Sequence, residues 1–279
     1  MTKAILYTTF ALVAFAFNSI LCRMALRGEE ADAAGFTLVR ITSGAITLIV
    51  ISYLFSKDKS FRGRGNWLSA FFLFAYAICF SFAYLGLSAG TGALILFGSV
   101  QLTMIVYGLA KGERPGWLEW IGLFAAVGGL VYLVLPGLAA PPLHSSALMA
   151  AAGATWGAYT LRGRGSSSPL ADTTGNFTIA VPMALVVALI FLPNLRLSKE
   201  GYILAALSGA IASGIGYTVW YSALKYLTAT RAAVLQLAVP VIAASLGIML
   251  LSETATARLI VSAVLILGGI LLAIVGRKR

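Results

Sequence analysis

Apolar residues occur along this chain in long blocks that are separated by short clusters of charged residues, glycine and proline. Within a block nearly every position is apolar, whereas a membrane β-barrel strand would alternate apolar and polar residues over about 10 positions. A membrane-spanning helix needs about 20 mostly apolar residues and satisfies its backbone hydrogen bonds internally. The pattern therefore predicts ten membrane-spanning helices, near Ile5–Leu21, Phe36–Phe55, Trp67–Leu85, Thr91–Ala110, Trp117–Leu135, Ser145–Leu161, Thr173–Leu192, Tyr202–Leu224, Thr230–Leu251 and Arg258–Val275.

Composition excludes most other classes of protein. Of the 279 residues, 60% are hydrophobic and 10% are charged, whereas a soluble domain has about 45–50% apolar and about 25% charged residues. Ten helices leave no room for a soluble catalytic or nucleotide-binding domain, and the sequence contains no phosphate-binding loop motif. Two cysteines, Cys22 and Cys79, and one histidine, His144, predict neither a disulfide framework nor a metal site, and we expect no cofactor.

The distribution of lysine and arginine predicts the orientation of the helices. If the N-terminus and every second loop face one side, that side holds fourteen of the twenty cations and the other side holds five, while Arg40 lies inside a span. The positive-inside rule then places both termini in the cytoplasm. We interpret the net charge of +11 as a sign of this orientation and expect no nucleic-acid partner. The first apolar run also resembles a secretory signal, but it lacks an Ala-x-Ala cleavage site, and we expect it to be retained.

The two halves of the chain resemble each other at an offset of 140 residues. This offset aligns Glu113 with Glu253, and Gly128-Gly129 with Gly268-Gly269. The alignment predicts two repeats of five helices each, at residues 1–137 and 144–279. Because five is an odd number, the second repeat is expected to be inverted relative to the first, which is the architecture of alternating-access transporters. A duplication that is kept only for helix packing is the alternative.

Both halves also carry motifs of a known family. The motifs are Gly-Thr-Gly-Ala-Leu-Ile-Leu at 90–96, Gly-Glu-Arg-Pro at 112–115, Tyr217–Leu227, Thr230-Arg231-Ala232-Ala233, Pro240 and Leu251-Ser252-Glu253. They resemble the EamA repeat of the drug/metabolite transporter superfamily, although Val100 stands in the first half where Pro240 stands in the second. The segments at 76–79 and 154–159 resemble YddG-type amino-acid exporters of bacterial inner membranes.

The resemblance implies that helices 3, 4, 8 and 9 line a central cavity, with helices 1, 2, 6 and 7 around it and helices 5 and 10 at the periphery. Polar residues inside spans are expensive and usually face the interior of the bundle. The candidates for the cavity lining are the polar residues Asn18, Ser99, Gln101 and Gln236 and the aromatic residues Tyr76, Phe80, Tyr84, Trp156, Tyr159, Tyr217 and Trp220. Interhelical hydrogen bonding is the alternative role for the polar set, and packing or lipid contact is the alternative for the rings.

The nine acidic residues all lie in loops or near helix ends. Because a proton or cation antiporter commonly keeps a carboxylate inside a span, we expect a facilitator instead. Glu113 and Glu253 lie at helix C-termini, where a negative charge is unfavourable. Each is therefore expected to have a cationic partner, such as Arg114 or Arg258, with a solvated surface pair as the plainer interpretation. The single intramembrane cation, Arg40, is too little for a sugar-phosphate carrier.

Glycine and proline mark the helices that are expected to move. The candidates for gating and hinge positions are Gly86, Gly90, Gly214, Gly216 and Pro240. They predict that helices 3 and 4 rock against helices 8 and 9.

These observations predict an all-α integral membrane protein that exports small amphipathic metabolites through a cavity between two repeats. Amino acids with apolar or aromatic side chains are the expected solutes, and the expected location is the bacterial inner membrane. A drug or other metabolite exporter of the same superfamily, a non-selective channel and a lipid-modifying membrane enzyme are the alternatives. The expected partners are the small-molecule solute and the lipid bilayer, with the chain a monomer or a weak homodimer.

Overall fold

Helices make up nearly all of the described chain. The computed structural model describes residues 2–55, 65–112, 116–135, 137, 140–163, 166–224, 226–227 and 235–276. In these ranges the helices are α1 (Thr2–Arg27), α2 (Ala33–Phe55), α3 (Trp67–Ala83), α4 (Ala89–Ala110), α5 (Trp117–Val134), α6 (Leu143–Gly163), α7 (Pro169–Ile190), α8 (Lys199–Leu224), α9 (Ala238–Leu251) and α10 (Ala257–Val275). A 3-10 turn (Leu192–Asn194) follows α7, and the segment Ser208–Ile215 of α8 is a π-helix.

The predicted all-helical membrane fold is confirmed. Among the described residues, seven helices are long and apolar enough to cross a membrane, while α3 and α9 are apolar but shorter, with 17 and 14 residues. The remaining helix, α6, is 21 residues long and rich in alanine, serine and glycine. The predicted start of the ninth span, at Thr230, lies outside the described residues, as do Glu113 and Arg114.

Side chains of the preceding turns determine where several helices begin. Asn66 accepts hydrogen bonds from two backbone amides in the first turn of α3, and Ser88, Ser198 and Thr256 each accept one at the starts of α4, α8 and α10. At the start of α2, the carboxylate of Asp32 accepts from the amides of the first turn. Such caps satisfy amides that have no partner within the helix.

The contacts between helices repeat in the two halves of the chain if α1 to α5 are taken to correspond, in order, to α6 to α10. Helix α3 packs on α6, and the corresponding α8 packs on α1. In the same way, α4 packs on α6 and α9 packs on α1. Three further contacts join equivalent helices, namely α2 with α7, α4 with α9, and α5 with α10.

Helices α5 and α10 form the outermost pair of the bundle. Their backbones approach so closely that a Cβ on Gly122 would lie 2.5 Å from the amide nitrogen of Ala273, and one on Gly129 would lie 2.8 Å from the Cβ of Leu265. The outer faces carry exposed apolar side chains such as Phe124 and Val264, which are 68% and 67% exposed. This is the surface expected of lipid-facing helices.

Candidate functional site

A small cavity lies in the middle of the bundle. Its volume is about 20 Å³, which is room for about one water molecule. The lining residues come from α1, α3, α4, α6 and α8, and they are Phe15, Asn18, Tyr76, Phe80, Leu96, Phe97, Trp156 and Tyr217. Helices α1 and α6, which the sequence placed around the cavity, therefore contribute to its wall.

Aromatic rings form one side of the cavity. The ring of Trp156 lies 4.9 Å from that of Tyr76 and 4.7 Å from that of Tyr217, measured between centroids. Phe15 closes the group with an edge contact to Tyr217 at 5.8 Å. All four residues are at most 7% exposed. The arrangement offers several ring faces to whatever occupies the cavity.

A polar network adjoins these rings. The amide nitrogen of Asn18 donates to the hydroxyl of Tyr76 at 3.3 Å, and the hydroxyl of Ser208 donates to the amide oxygen of Asn18 at 2.5 Å. The guanidinium of Arg40 donates to the Tyr76 hydroxyl at 3.0 Å through Nη2 and to the Ser213 hydroxyl at 3.3 Å through Nε. The network thus joins α1, α2, α3 and α8 at the depth of the cavity.

Arg40 is the buried charge of this network. The residue is 2% exposed, and its guanidinium carbon lies 5.1 Å and 4.8 Å from the ring centroids of Tyr76 and Phe80. Its Nη1 atom has no hydrogen-bond partner. None of the hydrogen bonds and ring contacts that its guanidinium makes with described residues is to a carboxylate. Sequence reasoning left Arg40 out of the site, although a lone cation in a span is itself a signal of function.

The π-helical segment of α8 provides two members of the network. Ser208 and Ser213 begin and nearly end this segment, and their hydroxyls contact Asn18 and Arg40. Gly209 lets the segment approach α2, because a Cβ there would overlap the carbonyl oxygen of Arg40. Short π-helical turns inside α-helices are frequent at functional sites.

Polar contacts join four helices at one end of the bundle, which we call the Glu253 end. The carboxylate of Glu253, beyond the end of α9, accepts from the backbone amide of Ala89 in the first turn of α4, at 2.9 and 3.0 Å. The Nε of Arg23 on α1 lies 3.5 Å from this carboxylate, and Nη1 donates to the carbonyl oxygen of Tyr84 after α3 at 2.9 Å. Arg27 donates to the carbonyl oxygen of Leu251.

The partner of Glu253 differs from the expectation. Neither Arg258 nor a solvated pair was correct, since Arg258 donates to the carbonyl oxygen of Leu135 and the side chain of Glu253 is 10% exposed. The negative charge that is unfavourable at the end of α9 is favourable at the N-terminus of α4, which it caps.

Two larger pockets lie at opposite ends of α3. One, of about 450 Å³, opens at the Glu253 end and is lined by residues that include Arg23, Gly86 and Glu253. The other, of about 410 Å³, opens at what we call the Arg162 end, where Arg162 donates to the side chains of Ser69 and Asn66. The central cavity lies between these pockets along α3 and α6.

The structure brings together five of the eleven predicted lining residues: Asn18, Tyr76, Phe80, Trp156 and Tyr217. Tyr159 lines the pocket at the Arg162 end, and its hydroxyl accepts from Asn176 at 3.4 Å. Tyr84 lies toward the Glu253 end, with its ring 4.8 Å from that of Phe80, and Trp220 packs on Phe15 at 5.9 Å.

The predicted polar residues on α4 and before α9 lie elsewhere. Ser99 lies where α4 packs on α6, at Gly153. Gln101 and Gln236 are 3% and 7% exposed, and the Nε2 of Gln101 has no partner.

The predicted gating positions fall at helix contacts and in one turn. Gly86 lies in the turn between α3 and α4, whereas Gly90 lies in α4. Gly90 packs on α9, where a Cβ would lie 2.8 Å from that of Ala244, and Gly216 packs on α1. Gly214 belongs to the π-helical segment, and Pro240 is buried in α9.

Comparison with known proteins gives concordant results. The model of the EamA-like transporter family matches residues 2–135 and again residues 145–275. An uncharacterized protein of Pseudomonas aeruginosa is 48% identical over 275 residues, which cover 99% of this chain and 96% of that protein. An uncharacterized transporter of Archaeoglobus fulgidus is 26% identical over 219 residues, or 76% of each chain. A solved crystal structure is similar over 100% of this chain and 99% of its own chain, with a TM-score of 0.71. Its sequence is 16% identical, so this is a likeness of fold alone.

Proposed function

Because the chain belongs to the EamA-like transporter family, and is thus a multi-pass membrane transporter, we propose that it exports small amphipathic metabolites. Neutral amino acids with apolar or aromatic side chains are the proposed solutes, and the bacterial inner membrane is the proposed location. The resemblance to YddG-type exporters supports this choice of solute. The transporter family itself agrees with the family predicted from the residues.

The observation that carries the proposal is the ring-lined cavity between two end pockets. Trp156, Tyr76 and Tyr217 present apolar ring faces, while Asn18 and the Tyr76 hydroxyl present hydrogen-bonding groups beside them. A solute with an apolar side chain and a compact polar head matches both surfaces, as is usual for small-molecule sites. At about 20 Å³ the cavity excludes such a solute until the helices move.

We propose that the movement is alternating access between two inverted repeats, at residues 1–137 and 144–279. The matched helix contacts support this, since exchanging the halves exchanges equivalent contacts. The distribution of lysine and arginine supports an orientation in which both termini face the cytoplasm. The Arg162 end would then be the cytoplasmic end.

We propose that transport is facilitative. In the described part of the chain, the acidic side chains lie in loops, in first turns of helices such as Glu119 and Glu200, or beyond a helix end such as Glu253. A pH-sensitive dye trapped in proteoliposomes tests this directly. Stoichiometric proton movement coupled to solute flux would contradict the facilitative mechanism.

The decisive experiment is counterflow of labelled phenylalanine into liposomes that contain the purified protein. Saturable accumulation is expected for the wild type, and Trp156→Leu is expected to lower it about tenfold or more, since an aromatic contact and the cavity wall are lost. Trp117→Leu is the matched control, because Trp117 is 69% exposed at the start of α5. Absence of saturable accumulation of any neutral amino acid would overturn the amino-acid assignment, and accumulation of other amphipathic metabolites instead would support a different exporter of the same superfamily.

A further inference from the structure

We propose that Arg40 is a specificity-determining residue that binds the single carboxylate group of the transported solute. The inference rests on the proposed export function and narrows its solute class to monocarboxylates, which include zwitterionic amino acids. It assigns a role to Arg40, the charged residue that is buried at the depth of the central cavity among the residues that the structure describes.

The energetic state of Arg40 is the first argument. A buried charge is retained at a high cost unless an opposite charge and hydrogen bonds compensate it. Arg40 has two hydrogen bonds to neutral hydroxyls and two ring contacts. Its Nη1 atom has no hydrogen-bond partner. A leucine or methionine would fill similar space without this cost. The missing component is an anion, because none of the guanidinium's hydrogen-bond or ring partners among the described residues is a carboxylate.

The position of Arg40 is the second argument. Its Nη2 atom donates to the hydroxyl of Tyr76, and that ring lines the cavity beside Asn18. Arg40 itself lies behind Tyr76 and not in the cavity wall, so a carboxylate next to Tyr76 and Asn18 can accept from the Tyr76 hydroxyl and the Asn18 amide before any ring moves. A carboxylate that displaces the Tyr76 hydroxyl would take its place on Nη2 and could also accept from the unpartnered Nη1. Such charge-assisted, forked hydrogen bonds to carboxylates are the strongest that arginine makes.

The charge balance is the third argument. One guanidinium neutralises one carboxylate, whereas a phosphate group with two charges would remain uncompensated. An ammonium group on the same solute can lie against the faces of Trp156, Tyr76 or Tyr217, since aromatic rings attract cations. A solute with one carboxylate, one ammonium and an apolar side chain therefore has a partner in the cavity wall for each part.

The test compares ligands that share the phenyl group and lack either the carboxylate or the ammonium group of phenylalanine. Phenylalanine, phenylalaninamide and 3-phenylpropionate are titrated against the full chain in detergent, with thermal stabilisation as the readout of affinity, and each is then used in counterflow. The variants are Arg40→Gln, which removes the charge, and Arg40→Lys, which keeps the charge without the planar fork. Arg196→Gln is the control, because Arg196 lies in the loop before α8 and its side chain is 76% exposed.

The wild type is expected to prefer phenylalanine over its amide by about 10- to 100-fold, the range for a hydrogen-bonded charge. Arg40→Gln should abolish this preference while leaving amide binding unchanged, and Arg40→Lys should retain part of it. If Arg40 has only a structural role, Arg40→Gln should lower the affinity for all three ligands by the same factor. That result would overturn the inference.

The outcomes also separate this inference from the proposed function. If phenylalanine is transported and the wild type does not discriminate it from the amide, the role of Arg40 is overturned and amino-acid export stands. If phenylalanine is not transported but 3-phenylpropionate is, in a manner that Arg40→Gln abolishes, amino-acid export is overturned and the role of Arg40 stands. The wild-type comparison of acid with amide decides the inference even if Arg40→Gln fails to fold.

Discussion

Replacing Glu253 by glutamine should open the Glu253 end of the transporter. The carboxylate contacts the first turn of α4 and Arg23 of α1, and Arg23 in turn holds the carbonyl oxygen of Tyr84. Glutamine keeps the shape and one acceptor oxygen, so the variant removes the charge with little change in packing. We therefore expect the closed arrangement of this end to weaken without loss of the fold.

The size of the effect follows from three contributions. Charge at the N-terminus of a helix contributes about 0.3–1 kcal/mol, and converting a charged hydrogen bond to a neutral one costs about 1 kcal/mol. The third contribution is the ion pair with Arg23. An exposed ion pair contributes about 0.2–1 kcal/mol, and this pair is intermediate between exposed and buried pairs, with side chains 18% and 10% exposed. A total of about 2 kcal/mol shifts the ratio of closed to open states about 30-fold.

The thiol of Cys22 is a natural probe of this opening. Cys22 is fully buried next to Arg23, near Ser81 and Arg40. Its rate of reaction with N-ethylmaleimide should therefore rise with the fraction of molecules that are open at the Glu253 end. The measurement is made in a Cys79→Ala background, which removes the second thiol, and mass spectrometry follows the modification.

An exposed ion pair of the same loop region supplies the control for this measurement. Glu29 lies 3.7 Å from Arg196, with side chains 83% and 76% exposed, so Glu29→Gln removes a pair of small value. We expect a 10- to 30-fold faster modification of Cys22 in Glu253→Gln and no change in Glu29→Gln. Equal rates in wild type and Glu253→Gln, or the same acceleration in both variants, would refute the reasoning.

Two further changes test the packing of the helix pairs. A disulfide between Ala89→Cys and Gly247→Cys, where a Cβ on Gly247 would lie 3.3 Å from that of Ala89, should tie α4 to α9 and block counterflow. Reduction of the bond should restore counterflow to the level of the Gly247→Cys single variant, which is the reference because its Cβ would lie 2.5 Å from the Glu253 carboxylate. Equal flux in the oxidised double variant and this reference would contradict the proposed motion. Gly122→Ala should lower the free energy of unfolding by about 1–3 kcal/mol through overlap with α10, as measured by thermal melting in detergent, whereas Gly128→Ala, at a position with no atom within 4 Å, should not; equal melting of the two would show that α5 and α10 can separate at little cost.

The helices of this protein could be predicted from sequence because membrane helices need long apolar runs. The boundaries were less predictable where charged residues continue a helix. Helix α1 extends to Arg27, beyond the predicted end at Leu21. The Arg23 side chain in this extension contacts groups just beyond the ends of α3 and α9 rather than water. A pattern of single residues does not contain such contacts between distant segments.

The rings of the site and Asn18 were predictable from the sequence, whereas the partners of Asn18 and Tyr76 in the polar network were not. Tyr76 and Phe80 are four residues apart and therefore lie on one face of a helix, and Trp156 lies in the middle of an apolar run rather than at a membrane interface. Ser208 and Ser213, in contrast, contact Asn18 and Arg40 from a part of α8 that is π-helical. Serines are ordinary in apolar helices, so the altered register of α8 leaves no simple mark in the sequence.

One continuous set of contacts joins the cavity to the Glu253 end. The rings of Tyr76, Phe80 and Tyr84 follow one another on α3 at centroid distances of 5.5 and 4.8 Å, and Arg40 rests on the first two. The carbonyl oxygen of Tyr84 is held by Arg23, which pairs across the end of the bundle. The cavity has room for about one water, so we expect a solute that enters it on the α3 side to displace the first rings of this set. We expect this displacement to move the contacts at the Glu253 end as well, which would couple solute binding at the cavity to opening of that end through α3.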